Sequence, residues 1–352
     1  MTDVRVENVR LIREGAAYLA APERVLRMRA QRHCPPGFTR ADWQETADLG
    51  WLGLRLGGDR GGAGFGMEEL CAFAEQMGMG LAAEPLLGAI LTVPLLPAEQ
   101  IEAVLSGATI LLPALAEARD AFGAASTLAV KGGRLTGVKR YIHMGADADM
   151  FFVSVEDGFA LVEKDAPGLT LDVTETQDGG HFATLGLAGT PAVAVSALPD
   201  AAARLEQELT LATAAYLLGV MRRAFAITAD YLGTRQQFDR PIGSFQALQH
   251  RMVDLYIQIE LTAASVRCAA RALEGNDFAA ARLAVARAKA RASDASMLVT
   301  RQGVQLHGGI GYTDEADIGL YLRKAMTLAN LHGGAARHRA RFAAITDLGG
   351  VQ

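Results

Sequence analysis

The sequence contains little cysteine and little tryptophan. Its 352 residues include two tryptophans and three cysteines, Cys34, Cys71 and Cys268. Cysteines so far apart offer neither a disulfide framework nor the close ligand spacing of a zinc site. We therefore expect reduced thiols, no bound metal ion and a cytoplasmic protein.

An excess of positive charge is also missing. The 34 lysines and arginines are outnumbered by 39 aspartates and glutamates, which gives a formal net charge of −5. Proteins that bind nucleic acid carry a basic surface, so nucleic acid is not an expected partner.

Long apolar runs and an export signal are absent as well. The apolar run at 86–96 is interrupted by Gly88 and Pro94, and it is too short to cross a bilayer. The first residues, Met-Thr-Asp-Val, lack the basic start and apolar core of a signal peptide. We expect no membrane span and no export.

The chain is long enough for two or three domains with a buried core. Half of its residues are hydrophobic and 21% are charged, a balance typical of globular proteins. The period of apolar residues predicts helices over about 4–32 and 67–79. The Cys-Pro-Pro-Gly sequence at 34–37 ends the first of these, and Thr39 or Asp42 is predicted to cap another helix.

A glycine-rich run occupies residues 57–66. Such a run can cradle a phosphate, but this one lacks the Lys-Ser/Thr of a P-loop and no strand–helix unit surrounds it. We interpret it as a connector.

The pattern changes near residue 108 to short apolar runs bounded by glycine or aspartate, which is typical of strands. These runs are 109–115, 128–131, 135–142, 151–155 and 159–162. We predict antiparallel strands in a small barrel or sandwich that ends near residue 198, with a hairpin turn at Asp157-Gly158.

Helical periodicity returns at about residue 200 and continues to the end of the chain. The predicted long helices are rich in alanine and cover about 202–233, 244–273 and 278–305.

Residues 231–249 place two arginines and an aromatic residue at a helix break. Arg235 and Arg240 flank Phe238, and a Pro-Ile-Gly sequence then precedes Ser244, which is predicted to cap the next helix. Guanidinium groups pair with phosphate oxygens, so this combination suits a ligand with a planar ring and a pyrophosphate. A helix–turn–helix corner with a solvated charged face accounts for the same residues.

Three motifs resemble acyl-CoA dehydrogenases. Residues 231–249 match the signature Y-x-x-x-R-x-Q-F-G-x-P-I-x-x-F-Q-x-x-Q, with Asp239 in place of the usual glycine. Residues 305–313 are similar to Q-x-x-G-G-x-G-Y/F, and residues 137–145 are similar to G-x-K-x-W/F-I-T-N/S-G. Taken alone, the second motif is a helix end with a turn, and the third is a half-buried strand with one polar face.

The resemblance extends over essentially the whole chain. It implies an α+β fold of the acyl-CoA dehydrogenase type. The implied domains are an N-terminal helical domain at 1–107, a middle β-barrel or sandwich domain at 108–198, and a C-terminal four-helix-bundle domain at 199–352.

The resemblance also implies FAD as the cofactor and α,β-dehydrogenation of an acyl-CoA thioester as the reaction. In the family, one set of residues contacts the adenosine–pyrophosphate half of FAD bound mainly by a neighbouring subunit. The counterparts in this sequence are Arg235, Phe238, Gln246, Gln305, Gly308 and Gly309. Tyr141 and His143 fall on positions that contact the flavin ring. A dimer or tetramer and an electron-transfer acceptor are the implied partners.

The residue that should remove the α-proton is not evident. Most members carry a glutamate in Y-E-G-T near the carboxyl terminus, where this chain has His332, followed at 334 by glycine instead of threonine. Other members place the base at a helix position that aligns with Leu209, beside Glu208. One residue of helix turns a side chain by about 100°, so Glu208 fits only with a shift of register. The middle-domain loop T-E-P-x-x-G-S-D is also replaced, here by residues 114–120.

Glu208 and His332 are thus the candidate bases, and neither matches the family pattern. The resemblance favours the glutamate-lacking, smaller subunit of a heteromeric dehydrogenase of lipid or steroid catabolism. A self-sufficient homo-oligomer with a relocated base and a non-catalytic subunit that supports a partner's flavin site are the alternatives. A flavin monooxygenase or nitroalkane-oxidase-like enzyme shares the fold, but no feature of this sequence requires it.

Overall fold

The computed structural model describes residues 2–118, 126–196 and 200–346. The chain forms two compact units. The helical unit comprises Met1–Leu26, Met67–Ala82 and Thr210–Gln352, and the mixed unit comprises Arg27–Gly66 and Ala83–Leu209. The domain boundary expected at 198/199 lies outside the described residues, and the three domain ranges given above remain predictions.

Within the described residues the α-helices follow one another in this order: α1 Thr2–Gly15, α2 Pro22–Gln31, α3 Arg40–Asp48, α4 Met67–Gly80, α5 Leu86–Thr92, α6 Ala98–Leu105, α7 Ala201–Thr234, α8 Gln246–Leu273, α9 Phe278–His307, α10 Ile318–Leu328 and α11 Ala335–Ile345.

The strands are β1 Leu111–Ala114, β2 Arg134–His143, β3 Met150–Val155, β4 Gly158–Glu163, β5 Leu169–Glu175, β6 His181–Pro191, β7 Val193–Ser196, β8 Gln236–Gln237 and β9 Arg240–Pro241. They form a four-stranded sheet in the order β1-β3-β4-β7, a three-stranded sheet in the order β2-β6-β5, and the short pair β8-β9.

This order of helices, strands and helices confirms the predicted α+β fold class. The long helices predicted in the carboxyl-terminal half are confirmed as α7, α8 and α9. Two shorter helices, α10 and α11, continue the helical pattern.

The single helix expected over 4–32 is wrong, because the chain forms two helices there. A 3-10 turn at Ala17–Ala20 separates them, and Pro22 begins α2. Proline has no N–H and fixes φ, so it fits the first position of a helix but not its interior. The break also buries Leu19 completely.

The predicted cap before α3 is confirmed, and Thr39 is the capping residue. Its Oγ1 accepts the backbone N–H of Asp42 at 3.1 Å, and the Asp42 carboxylate accepts the N–H of Thr39 at 3.3 Å. This reciprocal pair satisfies two donors that a helix start would otherwise leave free.

Two expectations about the strands need correction. First, β1 pairs with β3 in parallel. The intervening β2 belongs to the other sheet, so the chain reverses twice before it returns beside β1. Second, residues 128–131 form no strand, and only Lys131 makes an isolated bridge, to Arg134.

The hairpin between β3 and β4 is confirmed, but its turn is one residue earlier than expected. Val155 pairs with Gly158, which leaves Glu156 and Asp157 as the two central residues. Gly158 has φ 135°, a conformation that favours glycine.

Two glycines let α4 and α7 approach closely in the helical unit. A Cβ added to Gly78 would lie 2.0 Å from the carbonyl oxygen of Tyr216, and one added to Gly219 would lie 2.0 Å from that of Glu75. The Glu75 carboxylate at this crossing is paired with Arg13 at 3.0 Å and with Arg222 at 2.6 Å.

In the described part of the chain, α7 is the one helix long and apolar enough to cross a membrane. However, 72% of its most apolar 18-residue window is buried inside the protein. That burial identifies α7 as a core helix, and its apolar composition reflects packing.

Candidate functional site

A tight hairpin follows α7 and presents the first motif. Gln237 pairs with Arg240 across it. The two residues between them, Phe238 and Asp239, have φ of 54° and 62°. Two central residues with positive φ define a type I′ turn, in which asparagine, aspartate and glycine are favoured. The turn therefore explains why aspartate can occupy the position where the family has glycine.

The hairpin projects its aromatic residue into solvent. The Phe238 side chain is 85% exposed, and its ring lies edge-to-face with Phe245, with centroids 6.1 Å apart. The Arg240 guanidinium lies 4.1 Å from the centre of the Phe245 ring, an attractive cation–π contact. Arg240 is thus held against its own chain, whereas exposed Arg235 precedes the turn.

The second motif lies at the same end of the helical unit. The ring of Tyr231, near the end of α7, stacks on the imidazole of His307, the last residue of α9. The centroids are 4.5 Å apart and the planes differ by 19°. His307 Nδ1 also donates to the carbonyl of Gly303 at 2.8 Å. These contacts bring together the Arg235 hairpin and the turn at Gly308.

The two glycines of this turn differ in backbone conformation. Gly308 ends α9 with φ 68° and ψ −143°, a conformation that side chains disfavour. Gly309 has an ordinary φ, and a Cβ added there would have no atom within 4 Å. The packing of the described residues therefore does not require glycine at 309. Open backbone at this point fits a ligand phosphate that must approach closely.

The two glutamines of the motifs are both exposed. Gln246 is the first residue of α8 and Gln305 lies in the last turn of α9. In the helical unit the structure thus brings the hairpin and the turn to one end, with surface side chains around them. Tyr141 and His143 belong to the mixed unit.

Tyr141 and His143 lie at an irregularity in β2. The register with β6 shifts between Lys139 and Ile142, so β2 carries one extra residue, and Tyr141 takes φ 59°. Both side chains are half-buried and pack near Phe182, with centroids 6.2 Å from Tyr141 and 5.8 Å from His143. A bulge re-aims side chains locally, and positive φ in a tyrosine is uncommon.

A part-buried ion pair made by this strand was not found from the sequence. Lys139 Nζ lies 2.8 Å from the Glu117 carboxylate and also donates to Ser126 and Ser154. Burial raises the pKa of Glu117, but hydrogen bonds from Lys139, Ser126 and Thr127 outweigh it and lower that pKa to about 2. Glu117 lies in the middle of the 114–120 segment, which replaces the family loop, and its contacts hold that segment to Lys139 and Thr127. The last two residues of the segment lie outside the described part of the chain.

Glu208, the first candidate base, is held by two arginines. Its carboxylate lies 3.3 Å from Arg55 Nη2 and 3.2 Å from Arg204 Nε. The side chain is largely buried. Both contacts are charge-assisted and hold the carboxylate in place.

His332, the second candidate, lies in the turn between α10 and α11 of the helical unit. Its φ is 57° and its side chain is half-buried. Its backbone carbonyl accepts a hydrogen bond from His338 Nε2 at 2.9 Å. Buried Lys289 donates to the carbonyl of Gly333 in the same turn at 3.1 Å. The sequence indicated the substitution at 332, but it did not reveal this supporting network.

Comparisons with known proteins agree with this architecture. The C-terminal domain of acyl-CoA dehydrogenases matches residues 202–345, and the N-terminal domain matches residues 7–97. The chain is 32% identical over 319 residues to acyl-CoA dehydrogenase FadE27 of Mycobacterium tuberculosis, covering 85% of this chain and 86% of that protein. The chain belongs to the acyl-CoA dehydrogenase family.

Two solved structures resemble it over the full length. One is a variant of the Tcur3481-Tcur3483 steroid ACAD, with 30% identity and a TM-score of 0.86, covering 100% of this chain and 99% of that chain. The other is the ChsE4-ChsE5 complex from Mycobacterium tuberculosis, with 29% identity, the same TM-score and the same coverage.

The members of this family are oxidoreductases that typically bind FAD. It also confirms the predicted acyl-CoA dehydrogenase fold. Within the described ranges, no group of three or more histidine, cysteine, aspartate or glutamate side chains could hold a metal ion.

Proposed function

We propose that this chain is the glutamate-lacking subunit of a heteromeric, FAD-dependent acyl-CoA dehydrogenase. The observation that carries the proposal is the contrast between two parts of the helical unit. The surface hairpin and turn that resemble the family's contacts to a neighbour's FAD are present and exposed. The turn that should carry the catalytic glutamate carries His332.

The exposed residues suit the adenosine–pyrophosphate half of the cofactor. Arg235 can pair with phosphate oxygens, Phe238 offers an exposed ring, and the open backbone at Gly309 admits a phosphate. Gln246 and Gln305 supply amide donors and acceptors. Tyr141 and His143 are proposed to contact the flavin ring.

The reaction needs an acceptor for the hydride and a base for the proton. A bound FAD supplies the acceptor for the β-hydride. The weakly acidic α-proton needs a base within hydrogen-bond reach, with a pKa suited to the working pH. In this proposal His332 orients the thioester through an N–H donor, and a partner subunit supplies the carboxylate base.

The geometry of Glu208 disfavours the self-sufficient homo-oligomer. Its carboxylate is paired with both Arg55 and Arg204, and such charge-assisted contacts fix a carboxylate in place. We therefore assign Glu208 a structural role.

The relatives guide the choice of substrate and partner. One solved relative is described as a steroid ACAD and the other as a complex of two proteins. We infer a heterotetramer with a glutamate-bearing paralogue, a CoA thioester from lipid or steroid catabolism, an electron-transfer acceptor and a cytoplasmic location.

Co-expression tests the proposal directly. The chain is purified alone and together with a paralogue that carries the glutamate, and flavin absorbance and thioester-dependent bleaching are recorded. We expect little FAD and little acyl-CoA oxidation from the chain alone, and both from the complex. A yellow, active homo-oligomer would contradict the proposal. A complex with the glutamate-bearing paralogue that binds FAD and keeps its full acyl-CoA oxidation after His332→Ala would favour the non-catalytic role.

A further inference from the structure

A fully buried lysine supports the turn that carries His332. Lys289 lies on α9 with no exposed surface. Its Nζ donates to the carbonyls of Leu328, Ala329 and Gly333 at 3.3, 2.9 and 3.1 Å, and to Ser293 Oγ at 3.0 Å. One ammonium group thus binds the end of α10 and both sides of the turn.

Two further buried side chains, Ser293 and His338, join Lys289 in a cage of hydrogen-bond donors around the turn. Ser293 Oγ donates to the Ala329 carbonyl at 2.9 Å, and His338 Nε2 donates to the His332 carbonyl at 2.9 Å. Burial and the charge of Lys289 lower the pKa of His338 to about 3, so this imidazole is neutral and keeps a single N–H donor. Side chains from α9 and α11 therefore fix the carbonyls of residues 328, 329, 332 and 333.

Burial of the Lys289 side chain is unfavourable in free energy. A buried charge is disfavoured unless it is well hydrogen-bonded, and the four partners of Lys289 are all neutral groups. A methionine would fill similar space without that cost, but it would leave several buried carbonyls without a donor. A lysine at this position is therefore explained by the hydrogen bonds that it gives to the backbone of the turn, and not by packing alone.

We infer that Lys289 is a positioning residue, which holds the backbone of the 328–333 turn so that the side chain at 332 has one fixed orientation. The functional part of this inference rests on the proposed function, in which His332 orients the thioester. The structural part concerns the turn alone. His332 has left-handed φ, a conformation that a non-glycine residue keeps only when its surroundings determine it.

The number of N–H donors explains why the charge matters. An ammonium has three N–H donors, whereas a neutral amine has two and a lone pair. Loss of the proton would leave two N–H donors for the four acceptors, the three carbonyls and Ser293 Oγ. Loss of the whole group would remove the Lys289 donor from all three carbonyls, of which Ala329 alone would keep the hydrogen bond from Ser293 Oγ.

Amide hydrogen exchange followed by mass spectrometry tests the structural part on the full chain, without substrate. We expect Lys289→Met to speed exchange at least tenfold in the peptide spanning 326–334. Ser293→Ala, which is milder and keeps the lysine, should speed it about threefold in the same peptide. Thr300→Val is the matched control, because Thr300 is buried on α9 and, among the described residues, its hydroxyl bonds to its own helix, at the carbonyl of Ser296.

The control should leave exchange in peptide 326–334 unchanged. If Lys289→Met folds and that peptide exchanges at the wild-type rate, the inference is overturned. An equal acceleration throughout α8 to α11 also overturns it, because the effect would then be general destabilisation. If Lys289→Met fails to fold, the Ser293→Ala result decides alone in the same way.

Steady-state kinetics of the assembled enzyme test the functional part. Lys289→Met should raise the KM for acyl-CoA at least fivefold with a smaller change in kcat, and this effect should vanish in a His332→Ala background. Additive effects of the two substitutions would overturn the role of Lys289 through His332. A wild-type complex without FAD or oxidation would instead refute the proposed function, and the exchange experiment would still stand.

Discussion

The imidazole of His307 stacks on the ring of Tyr231, with centroids 4.5 Å apart. The two residues are 76 positions apart, yet this contact joins the ends of α7 and α9. It therefore places the Arg235 hairpin and the Gly308 turn at one end of the helical unit, where both can meet a single elongated ligand.

Replacing Arg235 with alanine should weaken FAD binding to the assembled oligomer. A charge-assisted hydrogen bond to phosphate contributes about 1.5–3 kcal/mol. Flavin content is measured by absorbance after dilution and gel filtration. Arg282→Ala is the control, because this exposed arginine lies near the opposite end of α9 and removes the same charge. Equal flavin retention in wild type and Arg235→Ala would contradict the placement of the pyrophosphate.

The neighbouring glycines should respond differently to alanine. Gly308→Ala should destabilise the protein by about 1–3 kcal/mol, because φ 68° with ψ −143° strains a side chain. Gly309→Ala should leave the melting temperature unchanged, since its Cβ meets open space, but it should reduce FAD affinity. Thermal unfolding without flavin and a flavin titration separate the two effects. A Gly309→Ala protein that binds FAD normally would refute the close approach of the phosphate.

His332→Ala should leave flavin reduction in the complex measurable. In our proposal this imidazole orients the thioester and does not take the α-proton, so the KM should rise while bleaching by substrate persists. Stopped-flow absorbance of the flavin measures the reduction step directly. Complete loss of bleaching, with FAD content and assembly intact, would identify His332 as the base.

Glu208→Gln should affect stability more than turnover. The substitution removes the charge that Arg55 and Arg204 share, at a cost of about 1–2 kcal/mol for these charge-assisted contacts. Urea unfolding measures the loss of stability, and acyl-CoA oxidation by the complex should stay within a few-fold of wild type. Turnover abolished by Glu208→Gln in a homo-oligomer would establish the relocated base.

The stability of the chain should depend on pH through Lys289. Burial lowers its pKa from 10.5 to about 7. Below pH 7 the lysine is protonated in both states and contributes no slope. Between about pH 7 and 10.5 the unfolded chain binds more protons than the folded one, so the unfolding free energy rises with pH, by at most about 1.4 kcal/mol per unit.

The difference between wild type and Lys289→Met isolates this contribution, because the other groups titrate alike in both proteins. Urea unfolding at pH 7, 8 and 9 should show a steeper rise for wild type. Parallel pH profiles would mean that the ammonium keeps its proton throughout this range.

The sequence by itself determined the class of elements and the family. Helical and strand periods are local properties, so the long helices α7 to α9 and the strands β2 to β4 could be predicted to within a few residues. The motif at 231–249 and the replacement of glutamate by His332 can also be recognised from the sequence alone. Local rules were less successful at breaks, where Pro22 divided a predicted helix and Ser244 proved to bond the Pro241 carbonyl while α8 begins at Gln246.

Only the tertiary structure decided which distant residues meet. The parallel pairing of β1 with β3, the stack of Tyr231 on His307, and the pairing of Glu208 with Arg55 each join residues 39 to 153 positions apart. The same is true of the cage around Lys289. In the sequence this lysine is one cation in an alanine-rich helix. Its role becomes visible only when the end of α10 and the following turn bring their carbonyls around it, because burial and hydrogen bonding depend on the packed surroundings.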